Sequence, residues 1–260
     1  MNKKVIITGS SGYLGKKLVS LLSSKGFKIL KIKTNKIKEL KKINEKYHSF
    51  IHLGFNLKKD CNIEKHINIV ISVLNFAKSN CKNLIFASTA AVGPPKKRTI
   101  LKKNNYQKAK FLCEKILKKE KSQLNILILR IFNIIGPDQK KGFLVPDLIS
   151  KFSKKKFILN NYENRRDLIY VDDVCRAIHK CITQKNQKSK IIEIGSGQNF
   201  TLLEIAQKIK KIIKTNKEII TTGKKYSSPV TTKAYLNKEK LNWYPKIKLE
   251  NALKLILKKT

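Results

Sequence analysis

Lys4-Val-Ile-Ile-Thr-Gly-Ser-Ser-Gly-Tyr-Leu-Gly15 decides how the rest of the chain is read. A short β-branched apolar run stops at Gly9. Leu14, Leu18, Leu21 and Leu22 then recur at helical spacing between Tyr13 and Ser24. The pattern predicts a strand, a tight turn and a helix. Glycines at 9, 12 and 15 allow the backbone to approach a pyrophosphate, and the N-terminus of the helix offers uncommitted amides and the positive end of a dipole. Gly9, Ser11, Gly12, Tyr13, Leu14 and Gly15 are therefore expected to hold the phosphates of a dinucleotide.

Outward from this turn, apolar runs alternate with amphipathic stretches. Phe27–Ile32 reads as a second strand, and Phe50–Leu53, after a short polar helix-prone stretch, as a third. Ile63, Ile67, Val70, Ile71 and Leu74 recur as one face of a helix. Leu84–Ala87 is the next strand, Tyr106–Lys118 the next helix and Ile126–Phe132 a further strand. Such alternation predicts an α/β fold with a doubly wound parallel sheet of Rossmann type. After Gly136-Pro137 the alternation weakens, with a helical stretch at Phe143–Phe152 and a polar loop at Asn160–Arg165. Strand-like Leu168–Val171 and a helix over Asp173–Ile182 are expected to return to the sheet. The dinucleotide-binding domain is assigned to residues 1–136 plus about 168–194. Residues 137–167 and 195–260 are assigned to a smaller lobe that closes over a substrate.

Tyr106-Gln-Lys-Ala-Lys110 opens a predicted helix, and four residues are about one turn, so both side chains share a face. A free phenol titrates at about 10. Poising it near 7 requires about 4 kcal/mol of preference for the phenolate, which an adjacent ammonium and an oxidised nicotinamide can supply together. With the wide Gly-x-x-Gly-x-x-Gly turn and Phe86-Ala-Ser-Thr-Ala-Ala-Val-Gly93, this pair resembles the short-chain dehydrogenase/reductase superfamily, in its extended, NAD-dependent epimerase/dehydratase branch. The resemblance implies Tyr106 as general acid or base, Lys110 as its electrostatic partner and a ribose ligand, and Thr89 as the hydroxyl that bonds the reacting oxygen. Ser88 is the fallback for that hydroxyl and is otherwise assigned to the nicotinamide side.

The resemblance runs through Ile51-His-Leu-Gly54, Asn68, Leu129-Arg-Ile-Phe-Asn-Ile-Ile-Gly-Pro137, Arg166-Asp-Leu-Ile-Tyr-Val-Asp-Asp-Val174, Glu193-Ile-Gly-Ser-Gly197 and Leu241-Asn-Trp-Tyr-Pro245. It implies Leu53, Gly54 and Asn68 as further cofactor contacts. In nucleotide-sugar members the residues matching Asn133 and Arg166 hold the substrate's diphosphate, a task suited to a guanidinium. Asp172 and Asp173 read as caps of the following helix rather than as catalysts.

The sequence also departs from the family pattern. Where an acid usually meets the adenosine ribose stands Lys33, which leans the cofactor from NAD toward NADP, although lysine is so frequent here that chance offers the same residue. Asn35–Tyr47 is too short for the family's usual strand and helix. Ala90 and Ala91 replace the Asp-Glu pair of the 4,6-dehydratases, which argues against dehydration. Tyr106 follows Thr89 by only 17 positions, implying a trimmed loop. Hydride transfer at a sugar carbon of a nucleotide sugar, C4 first, is the expected chemistry. Epimerase and 4-ketoreductase outcomes both remain open. The reading from a different class is a non-catalytic dinucleotide-binding protein with an RNA or protein partner.

The formal net charge of +41 would ordinarily suggest nucleic acid or an anionic membrane. Of the 58 basic residues, however, only Arg98, Arg130, Arg165, Arg166 and Arg176 are arginine, and the lysines are scattered without interleaved aromatics. Lys, Ile and Asn share A/T-only codons, so base composition explains the excess. Cys61, Cys81, Cys113, Cys175 and Cys181 form no Cys-x-x-Cys pair, and His48, His52, His66 and His179 have no metal-ligand spacing; neither a disulfide framework nor a metal is expected. Without a signal core or a long apolar segment, the expected location is the cytoplasm, without membrane insertion. The expected partners are a nucleotide-sugar substrate and a second copy in a homodimer, with no specific nucleic acid.

Overall fold

A computed structural model describes residues 3–93, 104–185, 188–223, 233–237 and 239–258. β1 (Lys4–Thr8) leads into α1 (Tyr13–Ser24), β2 (Lys28–Ile32), a 3-10 segment over Thr34–Lys42, β3 (Tyr47–His52), α2 (Ile63–Asn80), β4 (Cys81–Thr89), a 3-10 turn at Ala90–Val92, α3 (Asn105–Lys119) and β5 (Asn125–Ile131). Then come β6 (Asn133–Ile135), α4 (Leu144–Phe152), β7 (Phe157–Asn160), β8 (Arg165–Arg166), β9 (Leu168–Tyr170), α5 (Val171–Thr183) and β10 (Lys190–Ile194). The last elements are β11 (Phe200–Thr201), α6 (Leu202–Ile212), β12 (Ile219–Thr222) and α7 (Leu249–Leu257).

Six strands form the main sheet in the order β10-β5-β4-β3-β1-β2. β1 pairs with β2 and β3, β3 with β4 and β4 with β5, all parallel. Helices cover such a sheet on both faces, so its strands read as nearly unbroken apolar runs. Val5, Ile6, Ile7, Phe50, Ile51, Ile85 and Leu127 are accordingly sealed from solvent. The strand order reverses at β1, between β2 and β3, and such reversals open a crevice beyond the carboxyl ends of the strands.

The chain forms two compact units: Met1–Ile131, Cys175–Glu193 and Asn237–Trp243 in the first, and Phe132–Val174, Ile194–Leu236 and Tyr244–Thr260 in the second. Among the described residues the second contains three two-stranded pairings, β6 with β9, β7 with β12 and β8 with β11. A buried carboxylate organises it. Asp167 accepts hydrogen bonds from the amides of Ser196, Gly197 and Ala234 and from the Ser196 hydroxyl, at 2.6–3.0 Å. Four donors compensate the desolvation of that carboxylate and tie three loops to one point.

Three expectations are corrected. The buried stripe of α2 comprises His66, Ile69, Val70, Val73, Leu74, Phe76 and Ala77, while Ile71 is exposed; a polar His66 sits in the stripe that apolar spacing alone assigned elsewhere. Leu168–Tyr170 does not return to the main sheet but pairs in parallel with Asn133–Ile135. Asp172 and Asp173 lie inside the first turn of α5 rather than at its cap, and buried Asp173 accepts from the amides of Lys246 and Ile247 at 3.1 and 2.9 Å. The short Asn35–Tyr47 stretch is resolved as the 3-10 segment, kinked at Lys36, which buries Ile37 and Leu40.

Candidate active site

The glycine turn is a cradle made of backbone. Gly9 adopts φ +74°, a region that L side chains avoid, and a Cβ there would lie 2.5 Å from the Gly54 nitrogen. A Cβ on Gly15 would lie 2.0 Å from the Gly9 carbonyl oxygen, inside any tolerable contact. Gly12 starts α1 without a side chain to cap it, and the first turn carries no acid, so the helix end keeps its positive character. Below the turn, Thr8 and His52 are joined by a 2.7 Å hydrogen bond, and the Gly54 amide donates to the same threonine hydroxyl at 3.5 Å. Burial, with Lys110 and His66 adding, pulls His52 down to about 3, so the imidazole is neutral.

A cavity of about 810 Å³ lies against this cradle. Of the expected cofactor residues, Gly9, Ser11, Gly12, Lys33, Leu53 and Gly54 line it. Tyr13 and Leu14 sit in the first turn of α1, outside the lining, and Gly15 is buried beneath the Gly9 carbonyl. Asn68 lies on the exposed side of α2, along a separate cleft of about 450 Å³. Three cations, Lys31, Lys33 and Lys65, and no carboxylate occur among the described lining residues. Lys65 and His66 were not anticipated; both sit in the first turn of α2, which is capped by Asn62, whose side chain accepts from the Lys65 amide.

The second part of the site stands on one face of α3. A capping box starts the helix: the Asn104 side chain accepts from the Gln107 amide at 3.0 Å, and Gln107 reciprocates. In the first turn of the helix, Tyr106 neighbours the Thr89 side chain at the end of β4; burial raises the phenol's pKa and Thr89 opposes that rise. Thr89 Oγ1 accepts from the Ala91 amide at 3.2 Å. A turn further on, Lys110 is almost wholly buried and donates to the Ala87 carbonyl. Its Nζ lies 3.8 Å from the Phe55 ring centre and 4.7 Å from that of Phe86. Burial pulls this ammonium down to about 7, against the opposing pull of Cys113, Glu114 and Cys61. Phe55 also meets Tyr106 edge-on at 5.7 Å and stacks on His66 at 3.7 Å. It belongs to both the cavity wall and the tyrosine-lysine face, and its position directly after Gly54 was the only signal available for it.

Ser88 points its hydroxyl at Glu114 Oε1, 2.6 Å away. Glu114 also receives Arg130 in a two-pronged pair, Nε to Oε1 at 3.0 Å and Nη2 to Oε2 at 2.6 Å, with both side chains buried. Removing one member of such a pair costs about 3–5 kcal/mol because the other is left buried and uncompensated. Residues 94–103, which contain the expected trimmed loop, lie outside the described residues. In the second unit, Asn133 donates to the Asp167 carbonyl through both its backbone amide (3.2 Å) and Nδ2 (3.1 Å). Arg166 precedes Asp167 and donates to the Arg165 carbonyl at 2.8 Å, with burial pulling its guanidinium below the usual range.

With a parallel sheet, a glycine cradle at its strand-order reversal and a tyrosine-lysine face beside Thr89, the geometry is that of a dinucleotide-dependent oxidoreductase fold. The chain belongs to the NAD dependent epimerase/dehydratase family, which it matches over residues 5–195. It is 28% identical over 245 residues to GDP-6-deoxy-D-talose 4-dehydrogenase of Aggregatibacter actinomycetemcomitans, covering 83% of this chain and 82% of that one. Among solved structures it superposes with TM-score 0.83 and 20% identity on UDP-N-acetylglucosamine 4-epimerase from Methanobrevibacter ruminantium M1 in complex with UDP-N-acetylmuramic acid, covering 99% of this chain and 98% of that one. It also superposes on RMD from Pseudomonas aeruginosa complexed with NADPH, with TM-score 0.79, 18% identity and 98% of both chains covered. Among the described residues no helix is long and apolar enough to cross a membrane.

Proposed function

We propose that this protein is a nicotinamide-dependent enzyme that acts on a nucleotide sugar at a sugar carbon, C4, as a 4-ketosugar reductase using NADPH. The observation that carries the reading is Tyr106 beside Thr89, with Lys110 one turn further along the same face of α3. Family membership and the 4-dehydrogenase relative support the sugar-nucleotide class. The lysines and the missing carboxylate of the cavity lining support NADP over NAD.

The residues present fit a dinucleotide: Gly9 and Gly15 let the turn close tightly on Gly54 and on its own backbone, and Gly12 leaves the helix start beside the cavity uncapped by any side chain. Ser11, Leu53, Gly54 and Lys33 complete the proposed holding set. A bound nicotinamide dinucleotide supplies the hydride-transfer chemistry. Tyr106 gives its proton to the sugar oxygen as a ketone is reduced, or takes it in the reverse direction, and Thr89 hydrogen-bonds that oxygen as its charge changes. Lys110 favours the phenolate electrostatically and contacts ribose. Asn133 and Arg166 are assigned to the nucleotide diphosphate. Ala90 and Ala91 offer no acid-base pair for dehydration.

A 4-epimerase is the second reading, because one phenol serves both directions of proton transfer. The test is to identify any nicotinamide that co-purifies and then to assay nucleotide 4-ketosugars with NADPH and NADH, and UDP-sugars without added reductant. Consumption of NADPH by a 4-ketosugar supports the reductase. Interconversion of UDP-sugars without net consumption replaces it with the epimerase, and stable binding of RNA with no turnover of any nucleotide sugar overturns both.

A further inference from the structure

Tyr106, Lys110 and Glu114 follow one another at successive turns on one face of α3, and only the first two have a part in the proposed proton transfer. Glu114 is 1% exposed, one turn beyond Lys110. Three hydrogen bonds from two partners hold its carboxylate, two from Arg130 and one from Ser88, the residue immediately before Thr89. Arg130 is the register partner of Ser88 across β4 and β5, so two strands and a helix converge on one carboxylate beneath the candidate catalytic groups.

Lys110 lacks any carboxylate in direct contact among the described residues. It has the Ala87 carbonyl and two aromatic faces, a dry setting that disfavours its charge. The titratable and charged groups around it are Cys61 just before α2, His52 on β3, His66 on α2, Arg130 on β5 behind Glu114, and Tyr106, Cys113 and Glu114 on its own helix. The two histidines are held neutral or nearly so by burial, and burial raises the thiols Cys61 and Cys113. Glu114, one turn along α3 and paired with the Arg130 guanidinium, is the carboxylate of this group.

We infer that Glu114, clamped by Arg130 and Ser88, is a positioning residue that keeps Lys110 protonated beside Tyr106. The inference rests on the reading of Tyr106 and Lys110 as the working pair. Taking away a nearby negative charge lowers the pKa of a neighbouring ammonium, so Glu114→Gln makes Lys110 give up its proton at lower pH.

The test reads Lys110 directly and needs no turnover. Wild type and Glu114→Gln are treated with formaldehyde and a borane reductant from about pH 5 to about pH 10, and methylation of the Lys110 peptide is followed by mass spectrometry. The expected midpoint is about one pH unit lower in the variant, a tenfold change in proton affinity. Because Glu114→Gln leaves Arg130 buried and unpaired, the neutral double variant Glu114→Gln/Arg130→Gln is measured beside it. Its midpoint also falls, by less. An unchanged Lys110 midpoint in the folded double variant overturns the inference, since a purely structural clamp would not move it. Tyr106→Phe assayed separately decides the underlying reading: full activity there sinks the catalytic pair without altering the Lys110 titration.

Discussion

The glycine cradle and the tyrosine-lysine face adjoin each other in the first unit but are built on opposite principles. The cradle owes its shape to missing side chains: Gly9 and Gly15 are tolerated because nothing else fits, and the groups proposed to hold the dinucleotide there are backbone amides. The face is made of side chains in costly places, with Lys110 buried under Phe55 and Phe86 and Glu114 and Arg130 sealed behind it. The first should fail through shape, the second through charge. The cradle is therefore expected to lose stability and binding together when altered, whereas the face should trade activity for stability.

The largest separation of the two comes from Gly15→Ala. Its Cβ would meet the Gly9 carbonyl at 2.0 Å, so the turn must open. We expect a loss of about 2–4 kcal/mol of stability in urea unfolding and at least about 100-fold weaker dinucleotide binding by fluorescence titration. Near wild-type binding would mean that the cradle is not the phosphate site.

Lys110→Met should do the reverse. The folded ammonium titrates at about 7 and the unfolded one at about 10.5, so at neutral pH the buried charge opposes folding. Melting should show a gain of about 2 kcal/mol with loss of turnover. A destabilised variant would mean that the aromatic and carbonyl contacts outweigh the burial penalty.

His52 supplies a pH dependence beneath the cradle. Its folded pKa of about 3 lies below the unfolded value of about 6.5, so between these limits the unfolded chain binds a proton that the folded chain does not. Stability therefore falls as pH falls through this window, by up to about 1.4 kcal/mol per pH unit from this group. Between about pH 7 and about pH 5 His52 should contribute about 2 kcal/mol to the loss of stability in urea titrations, and His52→Asn should remove that share. An equal slope in the variant would assign the effect elsewhere. The smallest effect is expected from Lys33→Glu on the cavity rim, about a tenfold shift in preference from NADPH toward NADH, read from the ratio of the two Kd values.

The same contrast explains what the sequence made legible. Backbone devices announce themselves: the strand-turn-helix at Gly9–Gly15 could be read directly because few residues can occupy those positions. Tyr106 and Lys110 were readable because four-residue spacing defines a helix face. Glu114 carried the same spacing, but on a lysine-rich helix an acid reads as surface, and only Arg130, 16 residues away on β5, makes it a buried pair. His66 was lost for a similar reason: a periodicity search for apolar residues skips a buried imidazole stacked on Phe55. Leu168–Tyr170 carries the pattern of a buried strand, yet nothing in three residues specifies that the partner is Asn133–Ile135 rather than the main sheet. Asp173 read as a helix cap because its true partners, the amides of Lys246 and Ile247, lie more than 70 residues on.

The central claim is that Tyr106 moves the proton of the reacting sugar oxygen. Its most direct test is the rate of NADPH oxidation with a nucleotide 4-ketosugar by wild type and Tyr106→Phe, each saturated with both ligands. The expected result is a fall of about 10²–10⁴-fold in kcat with little change in either Kd. A Tyr106→Phe enzyme that retains the wild-type kcat would contradict it.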